Sequence, residues 1–135
     1  MPASNSSYLP TGRPPEVDKF VDRFLSLMCD RSRRQILELL ADPLEQERTE
    51  HEMVECRSTD IAKQLGLTPA TISGHLRQLA DAKLVHSRKE GNEVYYRLAN
   101  HKLVDVFREL LLALHHEHDS RLLTKDVVKE GRKDR

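Results

Sequence analysis

Two groups of side chains in this sequence carry donor atoms suited to ions or redox chemistry. One is the pair Cys29 and Cys56; the other is the run His115, His116 and His118, with Glu117 and Asp119 among them. Thiolates bind soft ions and As(III) or oxidise to a disulfide, the last only if the Cα atoms lie within about 7 Å. His115 and His118, three residues apart, share one face of a helix and can ligate a metal ion, a second copy of the chain supplying further ligands. Both groups also have a plainer reading. The cysteines suit small buried hydrophobes, and the histidines suit a solvated helix C-terminus whose dipole favours cations. No glycine-rich phosphate loop, nucleophile elbow or close carboxylate pair stands beside them, so the sequence argues against an enzyme.

The elements that must position such groups are clearest over residues 59–98, TDIAKQLGLTPATISGHLRQLADAKLVHSRKEGNEVYYRL. Ser58 or Thr59 can cap a short helix with Ile61, Ala62 and Leu65 on its inner face, and Gly66 supplies a left-handed C-terminal residue. Thr68 is a good N-cap and Pro69 suits the first helical position, so a second helix starts there. Its inner stripe is Ile72, Leu76 and Leu79. Ala70, Thr71, Ser73, Gly74, Arg77 and Gln78 project from its other faces, small and hydrogen-bonding as entry into a major groove about 12 Å wide requires. Thr68 and His75 complete the expected DNA-contacting set on this helix, His75 reading equally as a helix-packing residue. After Ala82 the pattern becomes strand-like, with residues 84–88 and 94–97 flanking a turn at Glu90, Gly91 and Asn92. Arg88, Lys89 and Asn92 put cations and a polar tip where a wing rests on phosphates. Helix, turn, helix and hairpin in this order predict a winged helix-turn-helix that binds double-stranded DNA.

A length of 135 residues allows one small core with modest tails. The 22 Lys and Arg balance 22 Asp and Glu, so any basic surface must be local. From 57 to 98 seven cations face four acids, whereas 42–55 carries six acids against Arg48 alone and is expected to face away from DNA. The longest apolar run, 110–114, cannot cross a bilayer, and no apolar signal core opens the chain, so a cytoplasmic protein with reduced thiols is expected.

Residues 1–13 read as a disordered arm, 14–120 as the winged helix-turn-helix domain with dimerisation helices, and 121–135 as a polar basic tail. The first helix is expected over 15–29, the next from Asp30 or Ser32 to the Asp42-Pro43 pair, and the last from a cap at Asn100. That last helix carries Leu103, Val104, Phe107, Leu110, Leu111 and Leu114, a stripe broad enough to want two partners. A homodimer through the first and last helices supplies the second partner. The fold class is therefore mainly α, about five helices and a two-stranded wing.

Three segments carry a family resemblance: RSRRQILELLADP at 31–43, STDIAKQLGLTPATISGHLRQLADAKLV at 58–85 and RKEGNEVYYRL at 88–98. The chain resembles the ArsR/SmtB family of dimeric bacterial repressors over about residues 17–118. The resemblance implies a repressor that leaves its operator when an effector binds, often a metal or metalloid ion and sometimes a thiol-reactive species. It also shows departures. Where the family's metal sensors can place two thiolates ahead of an Asp-Leu-Ala-like triplet, Arg57 and Thr59 precede Asp60-Ile61-Ala62. Where they place an Asp and a His at the start of the last helix stand Asn100 and Lys102, and of the late ligands Ala113 replaces one while His116 survives. Cys29 with Cys56, and the cluster at His115, His116 and His118, remain as the places where an effector could act. The different reading left open is a constitutive winged-helix DNA-binding or interaction module with no effector.

Overall fold

The computed structural model describes residues 12–41 and 55–133, with side chains to 124. The arm expected over 1–13 and the acidic segment before Glu55 lie almost wholly outside the described residues. Helix α1 (Pro15–Met28) begins with proline at the first helical position. Its last carbonyls are capped by the following helix, α2 (Arg31–Ala41): Arg33 Nη1 donates to Leu27 O at 3.3 Å and Arg34 Nη1 to Met28 O at 2.6 Å. Guanidinium groups suit this place, because a helix end leaves carbonyls unpaired and carries partial negative charge. Asp30 starts α2 by accepting from Arg33 N at 3.1 Å.

The next helix does not begin as expected. Cys56 and Arg57 form a short strand, β1 (Cys56–Arg57), that runs without a linker into α3 (Ser58–Leu65). The N-cap is therefore Arg57, with no side-chain cap bond, and Ser58 and Thr59 lie inside the helix. Strand pairing holds the backbone extended up to Arg57, which moves the start of the helix past both candidate caps. The C-terminus is as expected: Gly66 sits at φ 67°, and Leu67 N donates to Ala62 O at 3.0 Å, satisfying a carbonyl the helix would otherwise leave open.

Helix α4 (Pro69–Asp81) follows, then β2 (Val85–Glu90) and β3 (Glu93–Leu98). The hairpin is extended by β1 into a three-stranded antiparallel sheet in the order β1-β3-β2. Cys56 lies opposite Tyr96, and Glu90 opposite Glu93. The core is formed by Ile36, Leu37 and Leu40 of α2, Ile61 and Ala62 of α3, Ile72, Leu76 and Leu79 of α4, and Cys56, Leu84, Val85 and Leu98 at the sheet. Fully burying each large aliphatic side chain contributes about 1.5–3 kcal/mol, so this cluster fixes α4 from behind.

The chain divides into two units, Met1–Asn100 and His101–Arg135. The second is one helix, α5 (His101–Lys133), which begins directly after Asn100 and continues past Ser120, where the sequence favours only a weak helix. Polar neighbours one turn apart support it up to and across that point: His115 Nε2 pairs with Asp119 Oδ2 at 3.2 Å just before Ser120, and Arg121 Nε with Glu117 Oε1 at 3.0 Å across it. Among the described residues no helix is long and apolar enough to cross a membrane.

Candidate nucleic-acid interface

The outward face of α4 is set from its first residue. Thr68 Oγ1 accepts from Thr71 N at 3.2 Å and donates to Thr71 Oγ1 at 2.8 Å, while Pro69 occupies the position whose amide would have had no partner. With Ile72, Leu76 and Leu79 buried, Ala70, Thr71, Ser73, Gly74, Arg77 and Gln78 are all exposed. Gly74 lies in the helix interior, and a Cβ built there meets nothing within 4 Å. Neither an unusual backbone nor crowding within the chain calls for glycine, yet glycine in a helix costs about 0.5–1 kcal/mol relative to alanine.

His75 departs from the expected contact set. Its side chain is 17% exposed and turns toward α2: Arg33 Nε donates to His75 Nδ1 at 3.3 Å, and Asp30 Oδ1 lies 3.9 Å from His75 Nε2. Of its two sequence readings, this geometry favours helix packing. The amide of Arg33 and, more weakly, the charge of Arg33 hold the Asp30 carboxyl below its ordinary pKa. Asp30 and Arg33 were not legible as partners of the DNA-reading helix, since Arg33 and His75 stand 42 residues apart.

The wing turns at Gly91, φ 62°, followed by exposed Asn92. Glycine at the first turn position suits the twist of a two-residue hairpin. Arg88 is not the free cation the sequence suggests. Its Nε and Nη2 donate to Glu55 Oε2 and Oε1 at 3.1 and 3.0 Å, its Nη1 reaches Glu90 Oε2 at 2.7 Å, and its guanidinium lies 4.6 Å from the centre of the Tyr95 ring. Hydrogen bonds first to Glu55 and then to Glu90 hold its pKa above the ordinary arginine value. Arg88, expected from the sequence to contact phosphate, staples the wing to the approach to β1, whereas Lys89, on the same strand, is exposed. Arg57 is also committed, pairing with Asp60 at 2.8 Å.

Residues 30–87 match the family described as bacterial regulatory protein, arsR family. The arsenical resistance operon repressor of Staphylococcus aureus is 32% identical over 87 residues, covering 64% of this chain and 72% of that repressor. The chain belongs to the arsR family. A homodimeric winged helix-turn-helix DNA-binding domain from Mycobacterium bovis, solved in solution, is similar at a TM-score of 0.59 and 29% identity, covering 76% of this chain and 84% of that one. The AntR antimony-specific transcriptional repressor is similar at a TM-score of 0.60 and 26% identity, covering 78% and 84%. This family member is a DNA-binding transcriptional regulator, its relatives being regulators and not enzymes.

The two expected effector groups lie in different settings. Cys29 is exposed at the end of α1, whereas Cys56 is buried in β1, and neither is in a disulfide. His115, His116 and His118 are all exposed on α5, where the carboxylate of Asp119 pairs with His115 at 3.2 Å and with His118 at 3.4 Å. Among the described residues no three His, Cys, Asp or Glu side chains are grouped to hold a metal ion.

Proposed function

We propose that this chain is a homodimeric repressor that holds double-stranded operator DNA through α4 and releases it in response to an effector. The observation that carries the reading is the outward face of α4, exposed and made of small or polar side chains, with a glycine at its centre that the chain's own interior does not require. A major groove about 12 Å wide admits such a helix and rewards close approach of its backbone. Thr71, Ser73, Arg77 and Gln78 are the base-reading candidates, Thr68 positions the helix, and Lys89 with Asn92 at the wing contacts phosphates. Val17, Phe20 and Leu25 on α1 and Val106, Leu110, Leu112 and Leu114 on α5 are exposed apolar residues that pairing of two copies would cover.

The effector is a metalloid or thiol-reactive species acting at Cys29, the exposed thiol. Support comes from the arsenical and antimony repressors among the relatives. Such a regulator works in the cytoplasm, where its operator is. Selection of duplexes from a random pool, followed by footprinting on the selected sequence, tests the DNA reading; recovery of no preferred sequence removes it. Adding arsenite or diamide to the complex of wild type and of Cys29→Ser tests the effector. Release from wild type and retention by the variant is expected, and retention by both leaves a constitutive DNA-binding module.

A further inference from the structure

We infer that Arg33 and His75 form a positioning clamp, holding the DNA-reading helix α4 against the end of α1 and the start of α2, and that the clamp is closed only while His75 is neutral. One guanidinium reaches two elements besides its own. Its Nη1 donates to Leu27 O at the C-terminus of α1, and its Nε donates to His75 Nδ1 on α4. Arginine cannot give up its proton, so Nδ1 must be the acceptor and the ring proton sits on Nε2, toward Asp30. Asp30 also fixes the backbone of Arg33 through its amide. Among the described residues, the charged groups paired with the ring are Arg33 and Asp30, both at the start of α2.

A proton added at Nδ1 converts the acceptor into a donor and sets imidazolium against guanidinium. The Arg33 bond is lost, and the Asp30 carboxylate becomes the ring's remaining partner. His75 directly follows Ser73 and Gly74 and stands two residues before Arg77. A small rotation of α4 about this anchor therefore displaces the side chains that face the groove, and productive geometry tolerates about 0.5 Å of looseness. His75 and Arg33 are positioning residues; neither needs to touch DNA. The inference rests on α4 being the groove-reading helix.

The test uses the full chain, a labelled duplex selected by wild type and a scrambled duplex, followed by fluorescence anisotropy at fixed salt. The pH runs from about 8 to about 5.5, the window in which imidazoles change charge. Wild type should lose about tenfold in affinity for the selected duplex into acid, beyond any change on the scrambled one. His75→Asn, whose Oδ1 replaces the acceptor without titrating, should bind tightly and lack that acid step. At pH 8, His75→Ala and Arg33→Met should each weaken selective binding about tenfold, with the double variant no worse than the weaker single. Identical pH profiles for wild type and His75→Asn overturn the clamp, as do additive losses in the double variant. If His75→Ala fails to fold, the comparison of wild type with His75→Asn decides alone. A wild type that selects no duplex overturns the groove reading itself, and the clamp with it.

Discussion

Gly74 within α4 and Lys83 just after it each occupy a backbone that suits the other better. Gly74 is helical with open space where its Cβ would be, while Lys83, just past α4, holds a left-handed φ of 61°. Lys83 closes α4 through its amide to Ala80 O, with Leu84 N on Leu79 O, both at 2.9 Å. That geometry ordinarily selects glycine, because a Cβ in the left-handed region costs about 1–2 kcal/mol. Lys83→Gly should therefore raise stability by about 1 kcal/mol in urea unfolding. Gly74→Ala should raise it by a similar amount, about 0.8–1 kcal/mol, and at the same time weaken binding to the selected duplex severalfold. The opposed signs are the point of the second measurement: a variant that is both more stable and equally tight on DNA would remove close approach as the reason for glycine.

At the scale of elements the wing separates two cations that look alike in sequence. Lys89→Ala should reduce the magnitude of the salt slope of DNA binding by about one per site, equally for all sequences. Arg88→Ala should leave the slope less changed and instead lower stability, because it strands Glu55 and Glu90 and uncovers Tyr95. Equal slope changes for the two variants would return Arg88 to the phosphate contacts. The difference also shows where sequence reasoning stopped. The turn between α3 and α4 was legible because Gly66, Thr68 and Pro69 act on their own backbone and near neighbours. The ion pair of Arg88 was not legible, because its carboxylate partner Glu55 is 33 residues away. The same holds for β1, two residues long and defined only by pairing with β3, and for His75, whose environment is set from α2. The continuation of α5 past Ser120 was hidden for a different reason: polar residues give no apolar stripe, and only their i,i+4 pairing speaks for a helix.

For the whole molecule, the exposed apolar residues of α1 and α5 make a folded monomer the unexpected result. Wild type should sediment as a dimer at micromolar concentration. Leu110→Glu with Leu114→Glu should yield a folded monomer that has lost most of its affinity for a two-half-site duplex, since half-sites about 34 Å apart reward two linked reading helices. A wild-type monomer at that concentration would remove the dimer from the proposal.

The pairing of Cys56 with Tyr96 has one more result, for the order in which the chain comes apart. The β2–β3 hairpin is local, whereas β1 joins it only by bringing together residues 40 positions apart, and two residues of strand give little in return. β1 is thus the part of the sheet expected to leave first in partial unfolding. Cys56 is 2% exposed, whereas Cys29 is an exposed residue. A thiol reagent should modify Cys29 at once and Cys56 only through such openings, at a rate that climbs with urea well below the global midpoint. One cysteine then calibrates the reagent while the other times the opening of the sheet, so the chain carries its own stopwatch without an added label.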